Sequence, residues 1–216
     1  MQRLRDAEFI DGYFEKIQAD PVNRLARQDL SYSAFSEKVD QWLGTEIVTM
    51  HPSAEAGMPH TRPPNIICIP VYYPDSRREE TLRHEYVHVD QRNRRDVWNT
   101  FFRKEGWSRV DDSEIPERWL RRCRMNPDTI DQRFWAWKGQ YVPLPLFERE
   151  DKPDLRQVSV QWWDQESGVR MPEAPRSFLE KYGSMPSQPE HPRELTAVDL
   201  GRSFQTPSDL NSYLGI

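Results

Sequence analysis

Apolar positions recur at helical spacing over residues 3 to 18, where Leu4, Ile10, Tyr13, Phe14 and Ile17 precede Asp20-Pro21. The spacing of Phe35, Val39 and Trp42 predicts a second helix over Ser33 to Leu43, with Gly44 in the left-handed position that ends it. The period then changes. Glu46 to Met50 and Asn65 to Val71 are short, β-branched and bounded by prolines, so both read as strands. Ser76-Arg77-Arg78-Glu79 has the form of a capping box opening a helix that runs to about Arg95. A further helix follows from Asp96 to before Gly106, and a short basic one over residues 114 to 124.

From Arg133 the period falls to two. Phe134-Trp135-Ala136-Trp137, a Lys138-Gly139 turn and Tyr141 to Leu144 predict a hairpin, to which the alternation of Val158, Val160 and Trp162 adds a third strand. A helix over Arg176 to Tyr182 stops at Gly183, and a last one starts near Pro192. The expected fold class is α+β: one long helix beside a small mixed sheet, with a Trp-rich β insertion over residues 133–163. Residues 1–202 are expected to form one domain and residues 203–216 a partly flexible tail.

Composition narrows the classes of protein. The 216 residues carry 30 basic and 35 acidic side chains, a net charge of −5 that argues against a general nucleic-acid binder. Mean hydropathy is −0.90 and no run approaches the ~18 apolar residues of a membrane span. The segment Gln2-Arg3-Leu4-Arg5-Asp6 lacks the apolar core of a signal peptide. Only two cysteines, Cys68 and Cys123, are present, so no disulfide framework is expected and both read as buried small hydrophobes. These features suit an intracellular, cytoplasmic setting. Eight tryptophans within 12% aromatics indicate a core built on rings rather than a base-stacking surface, given the acidic charge.

The chemistry concentrates in His84-Glu85-Tyr86-Val87-His88. Positions four apart on a helix lie about 40° apart around the axis, one turn up, so both imidazoles can reach one metal ion from a single face. Glu85 lies about 60° from His88 on the wheel, where its carboxylate meets a metal-bound water without ligating. Leu82, Tyr86 and Val89 fall on the other side and would pin the helix to a core. A tetrahedral catalytic zinc takes three protein ligands and a water, so one ligand is missing. Gln91 and Arg94 occupy the positions where an extended motif would place Gly and His. The segment Glu190-His191-Pro192-Arg193-Glu194 offers three alternatives in Glu190, His191 and Glu194, with Ala197 one turn on permitting close helix approach. Asp90 and Asp199 are candidates to orient a ligand histidine, although solvated helix-face carboxylates fit them as well. Gln91 falls near the metal face.

Leu82 to Gln91 resembles the active helix of zincin metallopeptidases, and more narrowly that of gluzincins, whose third ligand is a Glu on a later helix. Pro192-x-Glu194-x-x-Ala197 is similar to the glutamate helix that accompanies H-E-x-x-H-x-x-Q variants. The resemblance covers about 30 residues. It implies a zincin-like fold, zinc as cofactor, His84, His88 and Glu194 as ligands, Glu85 as general base, and a protein or peptide substrate. It also implies an electrophile for the oxyanion, with Tyr141, Tyr182, His191 and Arg193 as candidates. The competing expectation is a catalytically silent protein of the same fold, serving in binding or assembly, for instance in a viral particle. The Trp-rich insertion motivates it, since an insertion covering the cleft would give metal without turnover.

Overall fold

A computed structural model describes residues 2–184 and 186–216. Its helices are α1 (Gln2–Asp11), α2 (Tyr13–Ala19), α3 (Pro21–Leu25), α4 (Asp75–Asn93), α5 (Arg95–Lys104), α6 (Glu117–Leu120), α7 (Arg176–Tyr182), α8 (Pro192–Ser203) and α9 (Pro207–Leu214). Its strands are β1 (Phe35–Trp42), β2 (Thr45–Met50), β3 (His60–Arg62), β4 (Ile66–Pro70), β5 (Trp107–Val110), β6 (Phe134–Trp137), β7 (Tyr141–Phe147), β8 (Val158–Asp164) and β9 (Arg170–Met171). The fold is mixed α+β with two small sheets. No helix among the described residues is long and apolar enough to cross a membrane.

The first sheet has the order β1-β2-β4-β3, with β2 and β4 parallel and the outer pairs antiparallel. Its β-branched face meets α4, where Ile47, Ile67 and Ile69 pack against Leu82 and Val89. The second sheet is antiparallel in the order β5-β6-β7-β8-β9. One face of it supplies Trp107, Trp135, Trp137 and Trp162 to a cluster that also buries Leu195, Ala197 and Leu200 of α8. The tryptophans thus form the bed on which α8 lies. Helix α4 packs against β3, β4, α5 and α8, which puts it at the junction of the two halves.

Several elements differ from the sequence expectation, each for a physical reason. The N-terminal helix is broken at Gly12, whose left-handed φ of 58° separates α1 from α2. Ser33 to Leu43 is not a helix: after a single 3-10 turn, Phe35–Trp42 is a strand. Phe35 and Val39 are four apart, a spacing that one helical turn and two strand repeats both satisfy. They pack in the core under the first sheet, while Trp42 turns towards α4. Leu43 and Gly44, with φ of 48° and 77°, make the two-residue turn of a hairpin closed by Trp42 and Thr45.

Helix α4 opens at Asp75 with Pro74 at its cap, so Ser76 lies inside the first turn and caps nothing. The basic helix at 114–124 contracts to the single turn of α6. Residues 133–163 do supply the expected hairpin and third strand, as β6, β7 and β8, and β5 and β9 extend them into a five-stranded sheet. The segment expected as a partly flexible tail carries α9, held by a capping box from Thr206 to Asp209 and by the buried Leu210. Phe204, just before it, is 1% exposed and stacks on Tyr86.

Candidate metal centre

The amphipathic division of α4 sets up the site. Leu82 and Val89 commit one side to the first sheet, and Tyr86 packs on Trp42 and Phe204. His84, Glu85, His88 and Gln91 are left on the sides that meet α8 and β3. Helix α8 can come close because its contact stripe is small. Ala197 is fully buried, and a Cβ placed on Gly201 would stand 3.2 Å from the Cβ of His84.

That approach brings three donor atoms together. His84 Nε2 and His88 Nε2 are 3.1 Å apart, and Glu194 Oε2 lies 3.5 Å from the first and 3.2 Å from the second. Donors at ordinary zinc distances and tetrahedral angles stand about 3.3 Å from one another. The triangle therefore has the size and the ligand chemistry of three corners of a zinc tetrahedron, and the residues present fit the ion. Among the described residues this is the group of His, Cys, Asp and Glu side chains that could hold a metal.

The electrostatics agree with the geometry. Burial disfavours charge on His88, yet the facing Glu194 carboxylate overrides it, with help from Asp128, and holds the imidazole at about 9. Burial likewise opposes charge on Glu194, but His88 and His84 keep its carboxyl well below the usual range. The cluster stabilises positive charge between its donors. Glu85 behaves in the opposite way. Burial, and then the nearby Asp128, push its carboxyl well above the usual range, and its Oε2 has no hydrogen-bond partner among the described residues.

No protein-family model matches the chain. Comparisons with curated proteins and with solved structures find no match either. The chemistry of the site therefore rests on its own residues.

Two of the three donors, His88 and Glu194, have a support of their own. Gln91 Oε1 lies 2.9 Å from His88 Nδ1 and accepts its proton, which turns Nε2 towards His84 and Glu194. Gln91 Nε2 donates in turn to Thr196 Oγ1 at 2.8 Å and to the Arg193 carbonyl at 3.1 Å, tying α4 to α8. Asn126 Nδ2 donates to Glu194 Oε1 at 2.6 Å. Nothing local in the sequence marks Asn126 for this contact; it arises because the loop carrying Asn126 folds back to α8.

The other sequence candidates are engaged elsewhere. His191 caps α8: its Nδ1 accepts the Arg193 N–H at 3.1 Å while Nε2–H donates to the Gln132 carbonyl at 2.8 Å. Glu190 pairs with Arg124 at 2.9 Å. Arg193 is buried against Asp131, at 2.6 Å. Asp90 is taken by Arg94 and by the Trp98 indole, both at 2.7 Å. Tyr182 accepts from Trp107 at 2.9 Å, and Tyr141 packs in the same Trp-rich cluster.

His84, Glu85 and Glu194 line a cleft of about 620 Å³. Tyr141, Tyr182, His191 and Arg193 do not line it, whereas Arg124, Asn126 and His60 do. Cys68 and Cys123 are both free and buried.

Proposed function

We propose that this chain is a zinc-dependent metallopeptidase with a zincin-like active helix, acting on a protein or peptide substrate. One observation carries the reading: His84, His88 and Glu194, from helices 106 positions apart in sequence, converge to zinc-like spacing beside a cleft that His84 and Glu194 line. His84 and His88 would present their Nε2 atoms and Glu194 its Oε2. A bound zinc lowers the pKa of its water towards ~7 and polarises the scissile carbonyl.

The chain's own residues do the rest. Glu85 lines the same cleft and would take the water's proton through its unpartnered Oε2. It then delivers that proton to the leaving amine. The silent binding or assembly reading needs a covered cleft. Of residues 133–163 only Leu155 lines it, so the strands of that segment do not wall the cleft.

The test has two arms. Metal analysis of the purified chain should give one zinc, lost in His84→Ala and Glu194→Ala. Glu85→Gln should keep the zinc and lower hydrolysis of an unfolded protein by about 10²–10⁴-fold. Full activity in Glu85→Gln removes Glu85 as base. A zinc-loaded wild type that hydrolyses nothing favours the binding reading.

A further inference from the structure

The two oxygens of Glu194 have different partners. Oε2 faces the two imidazole nitrogens at 3.5 and 3.2 Å, whereas Oε1 accepts from Asn126 Nδ2 at 2.6 Å. The orientation of that amide is fixed by its other end. Asn126 Oδ1 accepts the backbone N–H of Asp128 at 3.0 Å, so the nitrogen must be the atom that meets Glu194. The turn is itself anchored to the first sheet, since Asp128 Oδ1 accepts from the Thr61 N–H at 2.7 Å and its hydroxyl at 2.6 Å. The amide thus reaches Glu194 from a loop tied to β3, not from a free surface turn.

We propose that Asn126 is a positioning residue that holds Glu194 as a single-oxygen ligand, by occupying Oε1 and leaving Oε2 alone to face the ion. This rests on the metal-centre reading above. A carboxylate that chelates through both oxygens fills a second coordination position, which in a catalytic zinc site belongs to water or substrate. The hydrogen bond keeps that position available. It also draws charge from the carboxylate and leaves the ion a stronger Lewis acid.

Asn126→Ser separates this role from that of the turn, because the serine oxygen can still accept the Asp128 N–H but its side chain is too short to reach Glu194. The expected result is zinc binding weakened about ten- to a hundredfold in competition with a chelator, in a metal-free chain that still unfolds cooperatively. X-ray absorption at the zinc edge should show one near carboxylate oxygen in the wild type and two in the variant. Equal zinc affinity in wild type and Asn126→Ser overturns the role of Asn126 while leaving the metal centre intact. A wild type that takes up no zinc overturns the metal centre itself, and this proposal with it. If the serine variant does not fold, the wild-type absorption spectrum decides alone: a chelating Glu194 there refutes the proposal.

Discussion

His191 makes the chain sensitive to mild acid in a way that can be worked out from its contacts. The side chain is 1% exposed, its Nδ1 must stay unprotonated to cap α8, and Arg193 lies beside it. Burial first, and the neighbouring guanidinium second, lower its pKa from 6.5 to about 3. A depressed histidine is protonated in the unfolded chain before it is protonated in the folded one. Its contribution is therefore complete above about pH 6.5 and drains away as the pH falls towards 3. At pH 5 the unfolded chain has gained the proton and the folded chain has not, which costs about 2 kcal/mol. Any folded-state pKa below 4 gives the same figure.

The assay is urea unfolding at pH 7.5 and pH 5.0, with a chelator present so that metal release does not enter. His191→Asn supplies a good helix cap that does not titrate. The wild type should lose about 2 kcal/mol more than the variant between the two pH values. His60, whose pKa burial also lowers, is common to both proteins and cancels. An equal loss in the two would refute the reasoning.

Three further outcomes follow from the packing. Gln91→Leu should strand the buried His88 Nδ1–H, costing about 1–3 kcal/mol in chemical unfolding and weakening zinc binding about ten- to a hundredfold; unchanged values in both would remove Gln91 as the support of His88. Gly201→Val forces methyl groups into the 3.2 Å approach to His84 and should destabilise by about 1–3 kcal/mol, with a loss of zinc affinity larger than that of a valine placed on the solvent side of α8. Deleting residues 206–216 removes the fully buried Leu210 and should cost at least ~2 kcal/mol, and a melting temperature equal to that of the full chain would show that α9 contributes nothing.

What could be read in advance divides by the range of the interaction. The spacing of His84, Glu85 and His88 is local, because a single helix presents all three, and Pro192 with Glu194 three positions after His191 marks a helix start. Their meeting depends on Ala197 and Gly201, of which only the alanine stood out in the sequence. The α+β class and the hairpin at Lys138-Gly139 follow from period-two runs that no helix satisfies. Phe35 and Val39 fit both periods, so the strand they occupy could be decided only by the partner β2. The sequence offers His191 as a third ligand or an oxyanion electrophile; the Arg193 N–H on its Nδ1 makes it a cap, and the Gln132 carbonyl, 59 positions away, takes its other nitrogen. Asn126 acts wholly through tertiary contact. The pairing of Thr206 with Asp209, by contrast, is a legible helix signal in a segment short enough to be taken for a tail.

The distance along the chain between the paired histidines and Glu194 bears on when the centre can come into being. During synthesis α4 leaves the ribosome long before α8 is made, and α8 has no bed until the tryptophan-bearing strands have assembled. A growing polypeptide therefore carries two imidazoles without their carboxylate, and the hydrolytic centre proposed above cannot form before the strands that bed α8, and then Glu194 itself, have emerged.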